Sequence, residues 1–301
     1  MSRILRRIQR PAIGTLVALP RSDVVTATSS DAIHWQTAAN SIANHDYAAS
    51  AYGNGTYCAI EYNSAGNSTS SDGVHWTRST NIGSFSPSTF RYAAGNFICM
   101  SKGLAVWVSS DGASWGAYSL TANMSGCAEM AYGNGLLVAT NSATSNKYNT
   151  STDGMTWTER VLPYSGRYSA AGYFKGKFIL LDSLYGRCLY SSDGITWNNS
   201  AFGIYESGTV PNRVACSDNL MCVATYNSSN VAVSSDGITW SNAYDAGVTA
   251  SASCPSFIYH RALNLFILTG YATPNYAYSA DGVTWNTGSL PFVLSSIATT
   301  S

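Results

Sequence analysis

The chain has 301 residues, of which only 11% are charged, and sixteen basic residues balance sixteen acidic ones. That balance excludes any whole-molecule attraction to nucleic acid or to an anionic membrane. A hydrophobic share of 45% excludes a disordered chain, and no apolar run reaches the roughly 18 residues a spanning helix needs.

Residues 1–12 come first and stand apart. Arg3, Arg6, Arg7 and Arg10 alternate with Ile4, Leu5 and Ile8 ahead of Pro11. The apolar residues are too few and too interrupted for a secretion signal, and the proline discourages any helix from continuing. This segment is expected to be a basic docking arm that orders against another subunit, its arginines near acidic groups and its apolar residues in a groove. The chain is expected to be made in a cytoplasm, in reducing surroundings.

From residue 13 onward the pattern is strand and turn. Three strands are expected before the first tryptophan motif: b over 15–19, c over 24–28 and d over 33–36. A motif then recurs seven times: Ser29-Ser-Asp31-Ala-Ile-His-Trp35, then the copies around Asp72 and Trp76, Asp111 and Trp115, Asp153 and Trp157, Asp193 and Trp197, Asp236 and Trp240, and Asp281 and Trp285. The tryptophans are 41, 39, 42, 40, 43 and 45 residues apart. Asp-Gly between apolar runs is a strong hairpin signal, because glycine accepts a positive φ. The aspartate accepts backbone N–H groups in the turn, helped by the serine hydroxyl. Each tryptophan then packs between neighbouring sheets. Ala32 replaces the glycine in the first copy, so that turn is expected to be the least regular.

A second element precedes each later copy, as in Met130-Ala-Tyr-Gly-Asn-Gly-Leu-Leu-Val-Ala-Thr140. It reads as strand, tight turn, strand. In that copy the strands are a over 130–132, b over 136–140, c over 147–152 and d over 156–160. Four strands at a period of about 40 residues predict an all-β, seven-bladed β-propeller over residues 13–301. After the last motif, residues 292–299 align with strand a. They are expected to complete the N-terminal blade and close the ring, removing an open edge.

Seven cysteines, at 58, 99, 127, 188, 216, 222 and 254, fall mostly in apolar runs and read as small buried hydrophobes. A disulfide between Cys216 and Cys222 across a hairpin stays open. No Cys/His set has zinc spacing, and neither a metal nor a cofactor is expected.

The repeats resemble the Asp-box (BNR) repeats of sialidases and related propellers, with a spacing one residue shorter. That tighter form is similar to repeats of bacteriophage virion and tail-associated propellers and of bacterial propellers. The resemblance implies the fold across residues 13–301 and a virion component, attached to tail or capsid, with host-receptor binding as a role. A carbohydrate-binding or sialidase-like propeller and an assembly-factor-like scaffold are the alternatives.

Strand direction separates two faces. The d–a and b–c connections share one face, and the a–b and c–d turns share the other. The seven aspartates are therefore turn staples rather than catalysts. Binding candidates on the loop face are Arg78, Arg91, Lys102, Lys147, Tyr148, Tyr164, Arg167, Tyr168, Tyr185, Tyr205, Tyr226, Tyr244 and Tyr271. Their bias to tyrosine suits a host-surface glycan or a protein partner. Arg91 and Arg213 lie four residues before a–b turns, with Glu129 the one acid evidently at that level. The Arg-Ile-Pro motif of sialidases is absent and seven blades replace their six, so the chain is expected not to be an enzyme. The expected partners are other virion proteins, reached through the arm.

Overall fold

The computed structural model describes residues 15–300 apart from 22, 24, 40–45, 85, 102, 122–125, 204–209, 227, 242, 251–255 and 271. The docking arm, Lys102, Tyr205, Cys254 and Tyr271 lie outside the described residues.

Each blade grows from the same turn. In the Ser151 copy, the serine hydroxyl donates to Asp153 Oδ1 at 3.0 Å and accepts the N–H groups of Asp153 and Gly154 at 3.3 and 2.8 Å. Asp153 Oδ1 also accepts the N–H groups of Met155 and Thr156 at 2.8 and 2.9 Å. Gly154 has φ 79°, in the left-handed region glycine enters without strain. The first copy differs from expectation. Ala32 takes φ 64°, and Ser29 and Asp31 make the same hydrogen bonds. The turn is as regular as the others, and the cost appears as backbone strain.

The strands assemble into seven four-stranded antiparallel sheets. Blade 1 contains β1 (Leu16–Pro20), β2 (Val25–Ser29), β3 (Gln36–Ala39) and, as its inner strand, β28 (Leu294–Thr299). Blade 2 is β4 (Tyr47–Gly53), β5 (Thr56–Glu61), β6 (Asn67–Ser70) and β7 (Thr77–Ser79). Blade 3 is β8 (Pro87–Ala93), β9 (Asn96–Ser101), β10 (Ala105–Ser109) and β11 (Gly116–Ser119). Blade 4 is β12 (Cys127–Gly133), β13 (Leu136–Asn141), β14 (Ser145–Ser151) and β15 (Thr158–Gly166). Blade 5 is β16 (Tyr168–Phe174), β17 (Lys177–Asp182), β18 (Arg187–Ser191) and β19 (Asn198–Ala201). Blade 6 is β20 (Pro211–Cys216), β21 (Met221–Thr225), β22 (Ser228–Ser234) and β23 (Tyr244–Ala250). Blade 7 is β24 (Phe257–His260), β25 (Leu265–Thr269), β26 (Asn275–Ser279) and β27 (Asn286–Ser289).

The inner strands touch in the order β28, β4, β8, β12, β16, β20, β24 and back to β28, so the ring closes. Its latch is the β1–β28 ladder from Leu16–Thr299 to Pro20–Leu294. Strand d begins later than the sequence suggests, at Gln36 rather than residue 33 in blade 1, because the Asp31 hydrogen bonds hold residues 31–34 in the turn.

Blades are joined by a rule visible three residues before each motif serine, where strand c faces the next blade's turn. After Thr26, Val106 and Val231, the indoles of Trp76, Trp157 and Trp285 donate to the carbonyls of Gly73, Gly154 and Gly282 at 3.1, 2.9 and 3.0 Å. After Tyr148 and Tyr276 a phenol intervenes. It donates to Gly194 or Ala32 carbonyl at 2.9 Å and accepts the Trp197 or Trp35 indole at 3.0 or 2.9 Å. Asn67 Nδ2 donates to the Gly112 carbonyl at 2.6 Å, and Cys188 Sγ to the Gly237 carbonyl at 3.4 Å. Trp76, Trp157 and Trp240 are buried, whereas Trp35, Trp115, Trp197 and Trp285 are half-buried.

The six described cysteines are free thiols. Cys216 faces Met221 across the β20–β21 ladder and Cys222 faces Ala215. Adjacent ladder positions point to opposite faces of a sheet, so the Cys216–Cys222 disulfide does not form.

Candidate functional site

The loop face carries a charged cluster just inside the central channel. In β8, β12 and β20 an irregularity interrupts the ladder near the loop-face end. Such bulges re-aim side chains. Arg213 and Thr89 both follow the bulge directly, and Arg91 lies two residues deeper on the same side as Thr89. Glu129 sits within the bulge of β12 and is buried.

Glu129, in blade 4, gathers these residues from blades 3 and 6. Oε1 accepts from Thr89 Oγ1 at 2.7 Å and from Arg91 at 3.2 Å, and Oε2 accepts from Arg213 at 3.0 Å. Arg213 also reaches the Ser88 carbonyl of blade 3, at 3.5 Å, past blade 5 and blade 4. Burial pushes the Glu129 carboxyl up, but the two guanidiniums, the Met130 N–H and the Thr89 hydroxyl outweigh it and leave it below its ordinary value. The carboxylate is therefore ionised and the cluster holds two positive charges against one negative. The Arg91 and Arg213 side chains remain 38% and 24% exposed, and Arg91 Nε has no hydrogen-bond partner among the described residues. The sequence singled out all three residues, but placed Arg91 and Arg213 at equivalent heights; the ladders separate them.

A second cluster lies on the same face in blades 4 and 5. Asp182 is fully buried at the end of β17 and accepts the N–H groups of Arg167 and Leu184, both at 2.9 Å. It lies so close over Gly166 that a Cβ there would meet its carboxylate. Arg187 stands 3.5 Å from Asp182 and donates to the Ser165 carbonyl at 3.0 Å. Its guanidinium lies over the rings of Tyr164 and Tyr185, 5.0 and 4.5 Å from their centroids. Arg187 was missed in the sequence; a lone arginine starting strand c carries no pattern.

The other sequence candidates divide. Arg78 forks onto buried Glu61 at 2.6 and 2.9 Å, and Lys147 meets Glu159 at 2.7 Å. Tyr148 and Tyr168 are buried, and their phenols bond within the fold. Tyr226 and Tyr244 are half-buried, while Arg167, Tyr164 and Tyr185 are exposed. A shallow cleft of about 330 Å³ between blades 6 and 7, lined by Gly247, Val248, Asn275, Thr287, Gly288 and Ser289, holds no charged side chain.

No family model matches the chain, and no curated protein matches it. Solved structures do. A functionally unknown protein from Desulfotomaculum acetoxidans is similar with a TM-score of 0.71 at 10% identity, covering 95% of this chain and 98% of its own. Virginiamycin B lyase from Staphylococcus aureus is similar with a TM-score of 0.68 at 9% identity, covering 95% of this chain and 96% of its own. YCF48 bound to D1 peptide is similar with a TM-score of 0.59 at 12% identity, covering 86% of this chain and 96% of its own. These likenesses carry the fold. They also overturn the expectation that the chain is not an enzyme: a lyase shares the ring, so the fold gives no ground for excluding catalysis.

Proposed function

We propose that this propeller binds a partner protein on its loop face and grips a carboxylate of that partner at the channel mouth. The observation that carries this reading is the Arg91–Glu129–Arg213 cluster, in which two partly exposed arginine side chains face one buried carboxylate and leave a surplus positive charge. Guanidinium forks suit carboxylates, and low-dielectric channel walls strengthen the attraction. The peptide bound by YCF48, a protein of similar ring shape, supports a peptide as the ligand class. A bacteriophage particle is the proposed setting, resting on the form of the repeat and the basic segment alone. Mass spectrometry of purified particles tests the setting, and absence of the chain removes it.

The binding experiment compares fluorescein-labelled decapeptides that end in a free carboxylate with the same peptides ending in an amide. The free acids should bind about ten- to a hundredfold more tightly, the worth of one charge-assisted hydrogen bond. Arg91→Ala should erase that difference. Equal binding of acid and amide forms by the wild-type protein would refute the reading.

A further inference from the structure

Among the described residues ten large hydrophobic side chains are exposed, and three of them, Tyr164, Leu184 and Tyr185, at 42, 37 and 55%, lie on the two segments beside Arg187 on the loop face of blades 4 and 5. Monomeric surfaces scatter such residues singly, and a contiguous group marks an interaction site. Here the group is also held rigid. The Arg187 guanidinium packs against both the Tyr164 and Tyr185 rings, while buried Asp182 accepts the N–H groups of Arg167 and Leu184 and so holds both chain segments. Rigid aromatic anchors lose little conformational freedom on binding, and tyrosine with arginine is the composition of binding hot spots.

Charge selects the occupant. Arg187 is offset by Asp182, whereas the exposed Arg167 has no side-chain partner among the described residues. We infer that this patch docks an acidic, apolar-centred segment of a partner protein, with apolar side chains on Tyr164, Leu184 and Tyr185 and a carboxylate on Arg167. The inference rests on the loop-face reading for its protein partner, but uses a separate set of residues.

The probe is a labelled peptide, Glu-Glu-Leu-Tyr-Glu-Glu, amidated at its end so that it offers the channel no terminal carboxylate. Its Gln and Lys counterparts serve as comparisons, titrated by fluorescence anisotropy against the full chain. The Glu peptide should bind at least about tenfold more tightly than the Lys peptide, the difference that one ion pair and its repulsive counterpart produce. Tyr185→Ser and Arg167→Ser should each weaken it at least about fivefold, and Arg213→Ala should leave it unchanged. Melting curves establish that each variant is folded, and Leu184→Ser replaces any that is not. Equal affinity for the Glu, Gln and Lys peptides, binding of none, or indifference to Tyr185→Ser and Leu184→Ser would each overturn the patch. Loss with Arg213→Ala alone would move the binding to the channel, overturning the patch and sparing the channel reading. Self-association that competes with the peptide would make the occupant a second copy, and would also overturn it.

Discussion

Removing one hydroxyl, Tyr148→Phe, tests how neighbouring blades are joined. The phenol donates to the Gly194 carbonyl at 2.9 Å and accepts the Trp197 indole at 3.0 Å, in a side chain that is 1% exposed. Phenylalanine keeps the ring, so apolar burial hardly changes and the loss is one of hydrogen bonding. The ring also continues to separate the indole from the carbonyl. Trp197 therefore cannot bond its own glycine as Trp157 does after Val106. A buried carbonyl left without its partner costs about 1–3 kcal/mol, while the half-buried indole recovers part of its bond from water, giving about 2 kcal/mol in all. Cys188→Val is the control. It gives up a weak 3.4 Å thiol contact and installs the residue type of Val106 and Val231, after which the indole is free to bond its own glycine. Its cost should stay below about 1 kcal/mol. Urea unfolding followed by tryptophan fluorescence, compared at unchanged m, measures both. A Tyr148→Phe protein within about 0.5 kcal/mol of wild type would refute the relay through the phenol.

The turn carboxylates give a pH dependence of known sign. Burial pushes Asp236 up, but the N–H groups of Thr239 and Ile238 and the Ser234 hydroxyl outweigh it and leave it at about 2, and Asp72 is likewise at about 2. An unfolded aspartate titrates at about 3.9, so their contribution is complete above about pH 4 and is lost as pH falls toward 2. Acid unfolding curves should steepen in that window, and Asp236→Asn should flatten them. Glu129→Gln leaves two guanidiniums facing a neutral amide. Because both arginines are partly exposed, the expected cost is about 2 kcal/mol, below the roughly 3–5 of a fully buried pair, and urea unfolding reads it. Ala32→Gly relieves the positive φ and should stabilise by about 0.5–1 kcal/mol in the same assay. Deleting residues 292–301 removes β28 and bares the edge of β1. It should give an aggregating or early-melting protein, and a soluble truncation that melts with the full chain would contradict the closure.

The ring was legible because its signal is both local and repeated. Ser-x-Asp followed by glycine, or by alanine in the first copy, dictates a turn whatever surrounds it, and seven copies fix the blade count. Residues 292–299 could be assigned to blade 1 because the N-terminal part of the chain supplies only three strands, b, c and d, and leaves strand a missing. The site was legible only in part. Arg91, Glu129 and Arg213 stood out as charges in a chain poor in them, but Arg213 reaches across the channel to other blades, and no spacing along the sequence encodes that span. Tyr148 looked like a surface tyrosine because it occurs beside a lysine and an asparagine. Its burial depends on the next blade's turn, which lies 46 residues away. Arg187 acquired meaning only when folding placed it against rings from two blades.

The latch between β1 and β28 has a mechanical consequence. Thr15 and Thr300 lie side by side, Thr15 N–H donating to the Thr300 hydroxyl at 3.1 Å and Thr300 N–H to the Thr15 carbonyl at 3.3 Å. Both ends of the ring thus enter the antiparallel ladder from the same side. A load applied through these two points peels the strands apart, straining one pair of hydrogen bonds at a time instead of all of them in shear. Rupture then begins at Leu16–Thr299 and runs toward Pro20–Leu294, and blade 1 opens while the other six sheets bear almost no tension. A tether through one end alone pulls on a single strand against the rest of the disc and leaves that zipper unloaded. The pairing that closes this ring is therefore also the seam where traction on both ends opens it first.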